Sequence, residues 1–189
     1  MLRTMGATND PSLCILQDPP EGLGRHDYGL TSGQTMGAHW SPKARLLMDP
    51  DIPGMKLSTV VGTAMAFLVC HRDMMAVIRE VCHNEIEFLP VEIYNQRGKL
   101  VSSDYGVLNV IGTVDCLDEK ASQVKKTSKG TIVIIKTPTI DAKRLAPDLH
   151  LFRLAAKPEK LIMSETLGRA LAKRKFTNVV FDEVKVING

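Results

Sequence analysis

Two stretches of the chain repeat one order of apolar and polar positions. In FLVCHRDMMAVIREVCHNEIEFLPVEI, the short apolar run at Leu68 and Val69 leads to a polar cap at His71, followed by Met74, Val77 and Ile78. Those three lie at i+3, i+6 and i+7 from the cap, on one face of a helix of about three turns. Ile86, Phe88, Val91 and Ile93 then follow the alternation of a strand, with Pro90 marking an edge or a bulge because it has no N–H to give a ladder. KLIMSETLGRALAKRKFTNVVFDEVKV runs through the same order: Leu161 and Ile162, the cap Ser164, then Leu167, Ala170 and Leu171, then Val179, Phe181, Val184 and Val186. Each stretch predicts strand, helix, strand.

The sequence between them is β-rich. Asn95–Gly98 separates Glu85–Tyr94 from Lys99–Val101 as a hairpin turn, and Tyr105–Val114 reads as a further strand. GTIVIIKT, residues Gly130–Thr137, reads as a strong strand whose β-branched run predicts burial on both faces. Residues 1–54 are a loop-rich N-terminal arm with turn clusters at 18–22 and 49–54, anchored by Trp40 and closed by an edge strand in which Ala44, Leu46 and Met48 alternate. Residues 55–189 form the core. The expected fold is α+β within a single domain: a mainly antiparallel mixed sheet with helices packed on one side and two similar strand-helix-strand units.

Composition narrows the function classes. The chain has 189 residues, 44% hydrophobic and 24% charged, as an ordinary folded domain has. Its net charge of +3 is spread thinly, with the densest basic groups at Lys125, Lys126 and Lys129 and at Arg169, Lys173, Arg174 and Lys175. A nucleic-acid-binding module built on them is a second alternative, but only 5% of residues are aromatic, which leaves few platforms for stacked bases. The uncharged stretch Leu57–Cys70 is shorter than the ~20 residues that span a bilayer, and residues 1–16 have no continuous apolar run of the kind a signal peptide needs. The expectation is a cytoplasmic protein with no membrane partner. Cys14, Cys70, Cys82 and Cys116 are scattered as reduced, buried thiols are.

Candidate chemistry is sparse. Cys70-His71 and Cys82-His83 each place a thiol beside an imidazole, but the helix between them sets the pairs roughly 18 Å apart, too far for one tetrahedral metal site. Gly22, Gly24 and Gly29 follow no apolar strand and precede no Gly-Lys-Ser/Thr, so no phosphate loop is present. Ser164 is explained as a helix cap, and Cys116 has no local partner for nucleophilic catalysis. Asp115, Asp118 and Glu119, with Asp104 upstream, are the best polar constellation. Such a group serves either as the acid and base of a small enzyme, working with a histidine, or as a docking patch for a basic partner. No metal and no cofactor is expected.

Three segments carry a resemblance: GLTSGQTMGAHWSPKARLLMDPDIPGMKL, NEIEFLPVEIYNQRGKLVSSDYGVLNVIGTVDCLD and PDLHLFRLAAKPEKLIMSETLGRALAKRKFTNVVF. Together, over residues 28 to 184, they resemble the eleventh immunity-protein family of bacterial polymorphic toxin systems. The resemblance implies a non-catalytic role: binding a cognate toxin domain, carried at the C-terminus of a larger secreted effector, and occluding its active site or substrate path. The strings that match best are Ser103-Asp104-Tyr105 with Asn109, Gly112, Asp115 and Asp118, and Leu151-Phe152-Arg153 ahead of Ser164-Glu165. The chain departs from the family at Gly106, where an aromatic is common, and at His71, where Ser is. Asp104, Tyr105, Asn109, Asp115, Asp118, Glu119 and Arg153 are the candidate toxin-binding residues, the acidic ones as mimics of nucleic-acid charge. Tyr105 and Asn109, four apart on a strand, equally suit satisfying nearby backbone groups, and Arg153, between Phe152 and Leu154, is expected to point away from the core toward a carboxylate.

Overall fold

The structure is a computed structural model that describes residues 1–8 and 10–188. It is α+β and strand-rich, and its strands divide between two main sheets rather than one. The first sheet holds β2 (Ile15–Leu16), β3 (Arg45–Leu47), β4 (Val60–Thr63), β5 (Leu68–His71), β6 (Ile86–Tyr94) and β7 (Leu100–Val110), in the spatial order β2-β4-β5-β7-β6-β3. The second holds β1 (Leu2–Gly6), β10 (Thr139–Asp141), β11 (Leu151–Leu154), β12 (Lys157–Ser164) and β13 (Val180–Ile187), in the order β10-β13-β1-β12-β11. β8 (Val124–Lys126) and β9 (Ile132–Ile135) form a separate two-stranded ribbon.

Helix α2 (Arg72–Val81) joins β5 to β6, and α3 (Glu165–Ala172) joins β12 to β13; a single turn, α1 (Gly29–Ser32), precedes them. In the first case β7 lies between the joined strands and antiparallel to both, and in the second β1 does. Beyond these, β3 runs parallel to β6 and β10 parallel to β13. The central strand of the second sheet is therefore Leu2–Gly6, within the stretch expected as a loop-rich arm. Five residues offer too short an alternation to read, and their partners lie more than 150 positions away in sequence.

The caps hold as the residue types require. The Nδ1 of His71 accepts from the Asp73 N–H at 3.2 Å, and the Oγ of Ser164 from the Leu167 N–H at 3.3 Å. Met74, Met75, Val77 and Ile78 of α2 and Leu167 and Leu171 of α3 are buried in one shared core, together with Cys70, Leu108 and Val110 from the first sheet and Met5, Leu161 and Met163 from the second. Each such side chain contributes about 1.5–3 kcal/mol when fully buried. Leu16 on β2 and Leu46 on β3 of the first sheet pack in a second core with Leu30, Met36 and Met48 from the segments beside them. Leu2, Ile140, Phe152, Ile162 and Val184 of the second sheet pack in a third core with Cys116 and Leu117.

β3 is the edge strand expected from Ala44, Leu46 and Met48, all three buried. Trp40 packs on the core beside it and donates its indole N–H to the Pro90 carbonyl at 2.9 Å. β3 pairs with β6 only at 92–94, so the missing Pro90 N–H interrupts no ladder on that side. Gly130–Thr137 differs from expectation: β9 pairs only with β8, and Val133 and Ile134 are 46% and 45% exposed. The β-branched run reflects strand propensity here, while burial depends on a neighbouring layer that covers only Ile132 and Ile135.

Candidate functional site

Of the seven residues singled out in the sequence, three are buried and bind the chain to itself. Arg153 on β11 does not point outward, because both faces of its sheet are covered and no solvent side remains. Its Nε donates to the Val110 carbonyl (2.8 Å), Nη1 to those of Thr31 (3.2 Å) and Pro158 (2.7 Å), and Nη2 to the Leu30 carbonyl (2.9 Å) and Asn109 Oδ1 (3.2 Å). All five guanidinium N–H groups are used. Among the described residues no carboxylate pairs with it; burial lowers its pKa to about 10, partly opposed by the charge of Glu159.

Asn109 turns its amide to match. Nδ2 donates to the Gln34 carbonyl at 2.8 Å and to Glu87 Oε2 at 2.9 Å, and the same carboxylate accepts the N–H groups of Met36 (2.8 Å) and Gly37 (2.9 Å). Tyr105 donates its hydroxyl to the Ser58 carbonyl at 3.0 Å, and burial raises its pKa to about 12. Asn109 and Tyr105 thus take the role of satisfying backbone groups, and the network pins residues 30–37 across the join of the two sheets.

The acidic residues do not converge. Asp104 pairs with Arg72 at the start of α2, at 2.6 Å. Asp115 lies past the far end of β7, and six residues of strand between 104 and 110 alone span about 20 Å. Asp118 is partly buried and accepts the Ala121 N–H at 2.8 Å, a turn cap. Glu119 pairs with Lys126 of the ribbon. Asp115, Asp118 and Glu119 remain together on one loop, apart from Asp104. Among the described residues no three His, Cys, Asp or Glu side chains are grouped to hold a metal ion. Burial raises the Cys116 thiol to about 11, the opposite of what an activated nucleophile requires. The other three cysteines are likewise free and buried. Among the described residues no helix is long and apolar enough to cross a membrane.

One surface feature was missed in the sequence. The loop that carries Asp115, Asp118 and Glu119 runs into the β8-β9 ribbon, which stands beside the outer face of the second sheet and leaves a groove of about 510 Å³. Leu154, Ile162 and Thr4 line it from the sheet, and Val133 to Pro138 from the ribbon. Lys136, Lys157 and Lys160 and the acids Glu159, Asp182 and Glu183 complete its lining. The available signal was the pairing of an apolar run, Ile132–Ile135, with the flanking lysines 125, 126, 129 and 136, a composition suited to a half-exposed ribbon.

A family model described as Immunity protein family (Imm11) matches residues 10–186. No curated protein matches the chain.

Proposed function

The chain belongs to the Imm11 immunity protein family, and from that membership we propose that it binds a cognate toxin domain in the cytoplasm and neutralises it by covering the active site or the path of its substrate. The single observation that carries the reading beyond membership is the outer surface formed by residues 115–136. There a loop with Asp115, Asp118 and Glu119 adjoins a ribbon with exposed Val133 and Ile134. An apolar centre beside charged groups of both signs suits protein recognition, in which burial supplies affinity and charge selects the partner. Asp115 and Glu119 are placed to meet a basic patch on the toxin, such as one that holds phosphates. Tyr105, Asn109 and Arg153 act from inside, holding the chain that frames the fold, and the proposed toxin contacts are at the surface.

Affinity purification of the tagged chain from its native cell, with a high-salt wash and mass spectrometry, tests the function. The expected result is recovery of the C-terminal domain of one large secreted protein, whose purified form then loses activity when the chain is added. Recovery of nucleic acid or of a metabolic complex, or a recovered domain whose activity the chain leaves intact, would overturn the reading.

A further inference from the structure

The groove beside β9 has the parts that strand addition needs. Every residue from Val133 to Pro138 lines it. Of these, Val133, Ile134 and Ile135 belong to β9; successive residues of a strand point to opposite faces, so a space bordered by all three lies along the strand's edge and not over one face. Among the described residues β8 and β9 pair only with each other, which leaves that edge without a neighbouring strand. Leu154 and Ile162 border the groove but are already buried, so its accessible apolar surface is that of Val133 and Ile134.

Charge identifies the occupant. Among the described residues Lys125, Lys129, Lys136 and Lys160 have no acidic partner within salt-bridge distance, while Glu159 is paired with Lys157 and Glu183 with Arg3. Of the acids lining the groove, only Asp182 is left unpaired. Within the lining Lys136 and Lys160 are free against one free acid, and Lys125 and Lys129 add free positive charge on the adjoining ribbon, in contrast to the acidic loop that precedes it. We infer that this groove receives an extended acidic segment of the toxin domain, added as a third strand on the free edge of β9. Its apolar side chains pack beside Val133 and Ile134, and its carboxylates face the lysines. Four residues of β9 offer pairing to about four residues of the incoming segment. The inference rests on the immunity reading and adds the chemistry of the partner: extended, acidic, and apolar at alternate positions.

The test uses the full chain and the toxin domain identified by the capture experiment. On forming the complex, hydrogen exchange at those amides of residues 132–135 that face away from β8 is expected to slow at least tenfold. Lys125→Glu combined with Lys136→Glu is expected to weaken binding more than tenfold, with the Lys→Arg pair binding as the parent does. Both lysines are exposed, so the melting temperature serves as the check that each variant folds. A complex in which exchange at 132–135 is unchanged, or which the double Glu variant forms within twofold of the parent affinity, overturns the acidic-strand inference and leaves the immunity reading standing. Failure of the parent chain to form the complex overturns the immunity reading, and this inference with it.

Discussion

The Nη2 of Arg153 on β11 donates to the Oδ1 of Asn109 on β7 at 3.2 Å, linking the two main sheets through a buried polar contact. Asn109 is fully buried and passes the link to Glu87, so a cation and a carboxylate that never touch are joined through one amide. Replacing Arg153 with Met keeps the apolar stem and leaves four carbonyls and an amide oxygen without their donor. Each buried unpaired group costs about 1–3 kcal/mol, so Arg153→Met is expected to destabilise the fold by at least about 3 kcal/mol, read from the urea midpoint. Arg153→Lys is expected to recover only a small part, because three donors on a point charge do not reproduce a planar fork. A loss under about 1 kcal/mol for Met would show that the network is dispensable.

Gly106 on β7 stands opposite Pro90, and a Cβ there would lie 2.5 Å from Phe88 Cε2 and 2.9 Å from the Leu89 carbonyl. The Phe88 ring occupies the space into which a side chain at 106 would project. Gly106→Ala is therefore expected to cost roughly 1–3 kcal/mol as overpacking. In a Phe88→Ala background the same change should cost clearly less, a coupling that a double-mutant cycle of denaturation free energies measures directly. Additive costs would place the clash on the Leu89 carbonyl alone.

What could be read in the sequence was whatever repeats locally. The caps His71 and Ser164, the apolar faces of α2 and α3, the Asn95–Gly98 turn and the edge strand at Leu46 all follow from spacings within ten or so residues. Arg153 was misread because alternation with Phe152 and Leu154 implies a solvent side, and a strand sandwiched between two layers has none. Leu2–Gly6 was missed because its strand is defined by partners at the other end of the chain. The ribbon failed for the opposite reason: its local pattern was strong, and no covering layer exists for Val133 and Ile134. The acidic residues do not form one group, since Asp104 lies within β7 whereas Asp115 lies five residues past its end.

Alkaline pH is expected to unfold the protein from a lower starting point than its charge suggests. Burial raises Cys14, Cys82 and Cys116 to about 11 and Cys70 to about 12, whereas thiols of an unfolded chain titrate near ~8.5. The folded state thus holds more thiol protons than the unfolded one above that pH. Their contribution is complete below about 8.5 and is lost as pH rises through about 11. Tyr105 acts in the same sense between about 10 and about 12. Arg153 acts in the opposite sense: its folded pKa is lowered to about 10, so its share of stability rises with pH only above that value. The thiols begin first and outnumber it, and the urea midpoint is expected to fall between pH 8 and pH 10. A midpoint that is flat or rising over that interval would contradict the burial of the thiols. Cys70→Ala should make the slope shallower whatever its effect on stability at pH 7.

Reversing the acidic loop probes encounter with the toxin separately from strand addition at the groove. Asp118 is left in place, because its carboxylate caps the Ala121 N–H and its loss would unsettle the turn. Asp115 is exposed, and Glu119 pairs with Lys126 at the surface, an arrangement worth at most about 1 kcal/mol to folding. Asp115→Lys with Glu119→Lys should therefore leave the melting temperature within a few degrees of the parent. If these carboxylates meet a basic patch on the toxin domain, they act mainly on the approach of the two proteins, and complementary charge raises association rates by tenfold or more at low salt. The double reversal is expected to slow association about tenfold in stopped-flow mixing at low ionic strength, with dissociation nearly unchanged and the difference shrinking as salt is added. The ribbon variants, which remove groups held in the final complex, should instead act mainly on dissociation. An association rate that the reversal leaves untouched would take the acidic loop off the path of encounter and leave the ribbon as the contact to pursue.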